Sequence, residues 1–182
     1  MRIIQNNTNH SFEANRELIN HAKTMNAEII CIQDPYLDKD KIVPQSGYSQ
    51  IGVGRAIILV KKKIIAKIII DNQPNYNIIQ IGKLTIINCY LPPKVPIIQT
   101  LVPIDCSINR LNTKEPLIIC GDFNCGTALF KTTPNNTRTR IFDGFVAANQ
   151  LVIQNYEEHT WSARGLWALI DYTLTRNLEI KN

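Results

Sequence analysis

The sequence predicts an α/β fold in which two β-sheets pack face to face and helices cover their outer faces. Short apolar, β-branched runs recur along the chain, and turn-forming residues bound each of them. Several runs are apolar at successive positions, which is typical of strands buried on both faces. Helical periodicity is confined to three segments, too few for a regular alternation of strand and helix. The 182 residues are enough for one domain, 1–182, with a substantial core.

The predicted strands are the apolar runs that end in Gly, Pro, Asn, Asp or a lysine cluster. They cover residues 2–5, 29–32, 56–60, 64–70, 77–81, 84–90, 117–120, 151–154 and 168–175. Ser11 can cap the first predicted helix, whose apolar residues recur at helical spacing up to residue 25. A second helix covers 96–111, and Pro103 is expected to kink or split it. A third covers 141–149.

Composition and charge exclude several classes of protein. A hydrophobic fraction of 45% and a charged fraction of 19% indicate an ordered globular chain rather than a disordered one. The net charge of +5 is compatible with a polyanionic partner, although many proteins share it. Thirty isoleucines, nineteen asparagines and twelve lysines form a mixture that adenine- and thymine-rich codons would produce.

Cysteine usage and the N-terminal residues favour a soluble, intracellular protein without contact to a membrane. Cys31, Cys89 and Cys120 each end an apolar run and are expected to be small buried thiols. A zinc site formed by Cys120, Cys125 and a histidine is an open alternative. The start MRIIQNNTNH becomes polar after four residues, so no signal peptide is predicted, and no apolar run is long enough to span a bilayer.

The segment LIICGDFN, residues 117–124, is the sharpest local signal for chemistry. A buried strand leads through a glycine to Asp122 and Asn124, which project to the same side of an extended chain. The carboxylate could accept a proton from water while the amide donates to a phosphate oxygen. A simple turn with local Asx hydrogen bonds would explain the motif equally well if it stood alone.

Four further strands also carry polar residues at their ends or inside them. The segment IICIQDPY ends in Asp34, RIIQNN ends in Asn7 and its neighbours, and INCYLPP ends in Tyr90. The segment ALIDYTLT places Asp171 inside an apolar strand, where an unpaired carboxylate would be costly. Turns alone do not account for five such strands, so a shared site is predicted.

The order of the motifs QNN, QDPY, RAII, NCYLPP, GDFN, EHTWS and LIDYTL resembles the exonuclease–endonuclease–phosphatase superfamily. More closely, it is similar to the apurinic-type endonuclease domain of non-LTR retrotransposons, with QDPY in place of that family's Q-E-P-Y. The resemblance covers roughly residues 2 to 176. It implies a four-layered α/β sandwich with two mixed or mostly antiparallel sheets and helices outside.

The resemblance implies a role for each matching residue. Asn7 and Asp34 would hold a divalent metal, Mg²⁺ or Mn²⁺, and Tyr90 and Asn124 would position the scissile phosphate. Asp122 would orient or deprotonate the attacking water. The remaining two residues with implied roles are Thr160, which would contact a phosphate, and Asp171, which would orient a histidine. The implied activity is hydrolytic nicking of double-stranded DNA beside a reverse transcriptase domain of the parent element, in the nucleus if the source is eukaryotic.

Two departures from the family pattern lead to the expectation of a truncated, impaired domain. The family's terminal Ser-Asp-His motif does not follow Asp171, so the last strand and its histidine are expected to be missing. His10 is expected in a solvated loop, His21 on a helix surface, and His159 at a sheet edge. Asp34 replaces a glutamate and reaches about 1.5 Å less far.

Two alternatives to an active DNA endonuclease therefore stay open. The first is an inactive retrotransposon remnant that at most binds DNA. The second is a phosphoesterase of the same superfamily that acts on a small molecule.

Overall fold

The computed structural model describes residues 1–42, 47–129, 136–155, 160–163 and 166–178. The elements in chain order are β1 (Ile3–Asn7), α1 (Phe12–Thr24), β2 (Ile29–Gln33), β3 (Tyr48–Ile51), β4 (Ala56–Lys61), β5 (Lys67–Ile70), β6 (Tyr76–Ile81), β7 (Leu84–Tyr90), α2 (Ile98–Ile108), β8 (Leu117–Asp122), α3 (Thr137–Ala148), β9 (Val152–Ile153), β10 (Trp161–Ala163), β11 (Leu166–Ala168) and β12 (Asp171–Arg176).

The strands of the described residues form two mixed sheets and a separate hairpin. The first sheet has the order β1-β2-β4-β3 and the second has the order β5-β6-β7-β8-β12-β9, while β10 pairs only with β11. The parallel pairs are β1–β2 and β7–β8, and the other neighbours are antiparallel. Because parallel neighbours end at the same edge of a sheet, each sheet brings two carboxyl ends together.

Alternate residues of β2 show how the layers are stacked. Ile29 and Cys31 pack against residues of the second sheet, whereas Ile30 and Ile32 pack against the residues of α1. The outer face of the second sheet is covered by α2 and α3. The order is therefore helix, sheet, sheet, helices, and the predicted sandwich is confirmed. Most positions of a strand buried on both faces are apolar, which is the pattern seen in the sequence.

The strands differ from the sequence prediction in four places. The missed strand β3 is a polar edge strand with only Tyr48 and Ile51 buried, and the missed hairpin β10–β11 has three residues in each strand. The strand predicted at 64–70 starts only at Lys67, and the one predicted at 168–175 is interrupted after Ala168 and resumes at Asp171.

The helices also differ in detail from their prediction. Helix α2 continues through Pro103 and is not split, because Leu101 and Ile104 on either side of the proline are buried in the core. Helix α3 begins at Thr137, before the predicted start at 141, because Asn136 caps it and accepts from the backbone N–H of Thr139 at 3.0 Å.

A buried pair of amides joins the two sheets just below the strand ends. Gln33 Nε2 donates to Asn88 Oδ1 at 2.6 Å, and both side chains have no exposed surface. Asn88 Nδ2 donates to the carbonyls of Ile32 at 3.0 Å and Ile57 at 2.8 Å. One side chain of β7 therefore fastens β2 and β4 to the second sheet.

We expect the Asn88→Ala variant to lower the free energy of unfolding by about 3 kcal/mol, because three buried groups lose their partner. Urea unfolding followed by circular dichroism measures the change. The exposed Asn72→Ala variant is the matched control and should stay within about 0.5 kcal/mol of the parent. A loss at Asn88 no larger than that of the control would show that the amide pair does not hold the sheets together.

The described cysteines are free thiols, and four of the five are buried. Cys120 packs between the sheets and Cys125 packs under α2 and α3, so the two lie in different layers. The described residues contain no group of three or more His, Cys, Asp or Glu side chains that could hold a metal. The zinc alternative is therefore wrong for the described residues. None of the described helices is long and apolar enough to cross a membrane.

Candidate active site

The polar residues predicted to form a site lie where the strand ends of both sheets meet. Tyr90 and Asp122 are register partners at the carboxyl ends of the parallel strands β7 and β8. Asp171, the first residue of the antiparallel strand β12, is the register partner of Asp122 on its other side. In the first sheet, Asn7 ends β1 and Asp34 directly follows β2. Strand pairing thus places three of the residues in one row.

Hydrogen bonds join the two sheets at Asp122, which is 2% exposed. Its Oδ2 accepts from Asn7 Nδ2 at 2.7 Å and from Asn124 Nδ2 at 2.9 Å, and its Oδ1 accepts from the backbone N–H of Asn124 at 2.8 Å. Asn124 has a φ of +47°, a left-handed conformation that asparagine tolerates well. Asp122 and Asn124 therefore form the local Asx turn that the sequence left open, rather than projecting from an extended chain. Asn7 joins this turn from the first sheet, so the three residues form one fixed cluster.

Burial disfavours the ionised form of both Asp122 and Asp171. Burial, followed by the charge of Asp171, raises the pKa of Asp122 from 3.8 to about 7, against the opposing effect of its hydrogen bonds to Asn124 and Asn7. Burial also raises the pKa of Asp171, and a hydrogen bond with the Thr160 side chain opposes this. Asp171 Oδ1 is buried and has no hydrogen-bond partner among the described residues. The pair thus holds more negative charge than its surroundings stabilise.

Asp34 lies against the side chains of His10 and Arg55 rather than alone at the edge. His10 Nε2 is 3.0 Å from Asp34 Oδ1, and His10 Nδ1 lies 3.2 Å from the Pro35 carbonyl oxygen. Arg55 Nη1 is 3.4 Å from the same Asp34 oxygen. His10 lies in an exposed turn, as predicted, and the left-handed conformation of residues 9 and 10 also brings its ring to Asp34, a contact that was not predicted.

Tyr90 is linked to Asp34 through Arg55. Arg55 Nη1 donates to the Tyr90 hydroxyl oxygen at 3.0 Å, and the guanidinium carbon lies 5.1 Å from the centre of the tyrosine ring. Burial and the nearby charge of Asp34 raise the pKa of Tyr90, and Arg55 opposes this shift. The sequence motif RAII contains Arg55, but no role was predicted for it.

Thr160 is exposed and lies beside the start of β12. Its Oγ1 accepts from the backbone N–H groups of Ile170 and Asp171, each at 3.1 Å. The backbone N–H of Thr160 donates to the Ala168 carbonyl at 3.0 Å. Thr160 therefore fixes the chain between β11 and β12, where Asp171 enters the row.

We expect the Thr160→Val variant to lower the free energy of unfolding by about 1–2 kcal/mol, because two backbone donors lose their acceptor. The Thr160→Ser variant keeps the hydroxyl and should stay close to the parent. Chemical denaturation of the three proteins side by side measures the differences. Equal stability of the valine and serine variants would mean that the hydroxyl does not hold this segment.

The other two histidines of the chain are His21 and His159. His21 lies in α1 and is exposed, as predicted. The residue His159 lies outside the described residues. Within the described part of the chain, no histidine hydrogen-bonds to Asp171.

The residues expected to hold a divalent metal fit such an ion by their chemistry. Asn7 Oδ1 accepts a single bond, from the backbone N–H of Asn9 at 2.8 Å, and keeps a second lone pair. Asp34 contacts His10 and Arg55 through Oδ1. Its Oδ2 has no partner among the described residues. An amide oxygen and a carboxylate oxygen are the hard ligands that Mg²⁺ uses together with several waters.

Arg138, in α3, is a positioning residue that the sequence did not reveal. Its guanidinium donates to the carbonyl oxygens of Val95, Leu91, Pro92 and Phe123 at 2.8 to 3.2 Å. Leu91, Pro92 and Val95 lie in the segment that follows Tyr90 at the end of β7, and Phe123 lies between Asp122 and Asn124 just after β8. An arginine near the start of a helix gives no sequence signal for such a clamp.

A cavity of about 890 Å³ lies elsewhere, beside β1, and is lined among others by Ile3, Gln5 and Leu178. None of the candidate site residues lines it. The cavity is therefore separate from the strand-end cluster.

Comparison with known proteins supports the fold described above. The model of the endonuclease-reverse transcriptase family matches residues 84–182. The fold is similar to that of the endonuclease domain of TRAS1, a telomere-specific non-LTR retrotransposon, with a TM-score of 0.82 and 22% identity over 96% of this chain and 84% of that one. It is also similar to an AP endonuclease from Archaeoglobus fulgidus, with a TM-score of 0.70 and 15% identity over 96% of this chain and 86% of that one. Curated proteins offer no match.

Proposed function

The chain belongs to the endonuclease-reverse transcriptase family, and we propose that it is a divalent-metal-dependent endonuclease that nicks DNA by hydrolysing a phosphodiester. The observation that carries the proposal is the row of Tyr90, Asp122 and Asp171, to which Asn7 is joined across the two sheets. A buried carboxylate that accepts three hydrogen bonds from amides is held in one orientation, as a proton acceptor must be.

In the proposed reaction each residue acts on water or on the phosphate. Asp122 orients the attacking water and accepts its proton. Asn124 and Tyr90 donate hydrogen bonds to the non-bridging oxygens of the phosphate, whose negative charge grows as the water attacks. Thr160 lies at the exposed rim of the same row and contacts a neighbouring phosphate. The negative charge of Asp171 raises the pKa of Asp122 and so makes it a better proton acceptor.

The proposed metal is Mg²⁺ or Mn²⁺, held by Asn7 and Asp34. When bound, the ion stabilises negative charge on the phosphate and on the leaving oxygen. His10 and Arg55 keep the Asp34 carboxylate in place from its other side. Asp34 is shorter than the family's glutamate, and these two contacts fix its position at the strand end.

The proposed substrate is double-stranded DNA. The net charge of +5 favours a polyanion. A nick that leaves a free 3′ hydroxyl could prime a reverse transcriptase domain of the parent element, which is the partner we propose.

The test is nicking of supercoiled plasmid by the purified chain in the presence of Mg²⁺, with EDTA as the control. The proposal predicts relaxed circles with Mg²⁺ and none with EDTA. Salt-dependent retention of DNA without any cleavage would favour the inactive remnant instead. Turnover of bis(p-nitrophenyl) phosphate without an effect on plasmid would favour a small-molecule phosphoesterase.

A further inference from the structure

We propose that Arg55 is a phosphate-binding residue that binds the same phosphodiester as Tyr90. The inference rests on the proposed function and assigns a role to the motif RAII. It starts from a difference in exposure: the side chain of Arg55 is 44% exposed, whereas Tyr90 is 5% exposed. Because the guanidinium donates to the Tyr90 hydroxyl and lies over the tyrosine ring, an anion bound at that hydroxyl lies beside Arg55.

The backbone of Arg55 is held on both sides, so the guanidinium projects from a rigid base. The Arg55 N–H donates to the Pro74 carbonyl at 2.6 Å, and the Arg55 carbonyl accepts from the Asp34 N–H at 2.8 Å. Gly54 permits this close approach, because it has a φ of +75° and an added Cβ would lie 2.8 Å from the Pro74 oxygen. A residue with a side chain could not replace it without moving the strand.

The hydrogen bond between Arg55 and Tyr90 also orients the tyrosine proton. Arg55 Nη1 donates to the hydroxyl oxygen, so the hydroxyl proton has to point away from the guanidinium. Among the described residues, the Tyr90 hydroxyl has no hydrogen-bond acceptor, and neither do Nη2 and Nε of Arg55. These donors all belong to one pair of side chains, and a phosphate is the acceptor that an arginine fork matches best.

The contact with the Asp34 carboxylate stabilises the positive charge of Arg55 when no substrate is bound. One Nη1 atom serves both Asp34 and Tyr90, which leaves the outer edge of the guanidinium for the substrate. The alternative role is structural neutralisation of Asp34 alone. A lysine could fulfil that alternative role but could not bridge tyrosine and phosphate in the same plane.

The experiment compares the Arg55→Ala, Arg55→Lys and Tyr90→Phe variants with the Arg110→Ala control, which removes one exposed positive charge from the end of α2. Plasmid nicking with Mg²⁺ and fluorescence anisotropy of a labelled 20-base-pair duplex in EDTA are measured in parallel. We expect Arg55→Ala to lower nicking by about 10- to 100-fold and duplex affinity by about tenfold, as the loss of a charged hydrogen bond does.

We expect Arg55→Lys to recover little of the nicking activity. Added methylguanidinium should rescue nicking by Arg55→Ala but not by Tyr90→Phe. The Arg110→Ala control should stay within about twofold of the parent. The Arg55→Ala/Tyr90→Phe double variant should lose clearly less than the product of the two single losses, because both residues act on one phosphate. Wild-type nicking by Arg55→Lys, or losses that multiply in the double variant, would overturn the inference.

The duplex affinity separates the failure of this inference from the failure of the proposed function. If the parent chain does not nick DNA but Arg55→Ala binds the duplex more weakly than Arg110→Ala, the proposed function fails and the phosphate contact stands. If the two arginine variants bind the duplex equally well, the phosphate contact is refuted whatever the nicking assay shows.

Discussion

The Asp122→Asn variant is expected to lose nicking activity by about 10²–10⁴-fold, the range that removal of a general base produces. The amide cannot accept the proton of the attacking water. Its NH₂ group would also face Asn7 Nδ2 and Asn124 Nδ2, which are donors themselves and lie 2.7 and 2.9 Å from the present oxygen. The geometry of the cluster is therefore lost together with the proton acceptor.

Plasmid nicking under single-turnover conditions measures this effect. The Asp71→Asn variant is the matched control, because it makes the same chemical change at an exposed position outside the cluster. A folded Asp122→Asn protein, judged by its circular dichroism, that still nicks within tenfold of the parent would exclude Asp122 as the proton acceptor.

The metal-free protein is expected to become less stable as the pH rises from 5 to 8. The folded pKa of Asp122 is about 7 and its ordinary value is 3.8, so folding favours the protonated form. The stability from this preference is complete below pH 3.8 and is lost as the pH rises through 7. Integration over pH 5 to 8 gives a loss of about 2–3 kcal/mol from this one group. Asp171 adds to the loss, since its pKa is raised as well.

Urea unfolding in EDTA at several pH values between 5 and 8 tests this expectation. The Asp122→Asn variant should show a clearly smaller loss over the same range, whereas Asp71→Asn should follow the parent. Identical pH dependence in the parent and in Asp122→Asn would mean that the carboxyl group is not strained in the folded state. The same strain makes the cluster a place where a bound cation adds stability.

The strands that carry the candidate site were predictable because their physical requirements are local. A strand buried on both faces is largely apolar, so β2, β7 and β8 were recognisable as apolar runs in the sequence. The polar residues at their ends marked the edge of the sheets where the site lies. Short edge strands such as β3 bury only two of their residues and leave no such pattern.

The contacts between distant segments were not predictable in the same way. The bonds of Arg138 to four carbonyls and of Asn88 to the first sheet depend on which segments the fold brings together. The sequence marked Asn88 in one way, because it is a polar residue within the apolar run TIINCY. His10 reached Asp34 through a left-handed turn that sequence periodicity does not reveal. The missing last strand, the single domain 1–182 and the nuclear location stay predictions.

The strand register that aligns Tyr90, Asp122 and Asp171 limits which mutations this chain can accumulate without losing the row. Exchanges among its thirty isoleucines, such as Ile to Val, remove a single methylene and leave the register intact, at about 0.5–1.5 kcal/mol each. Insertion or deletion of one residue within β7, β8 or β12 instead turns every later side chain of that strand to the opposite face. The row of Tyr90, Asp122 and Asp171 therefore tolerates drift in amino-acid identity but not drift in strand length.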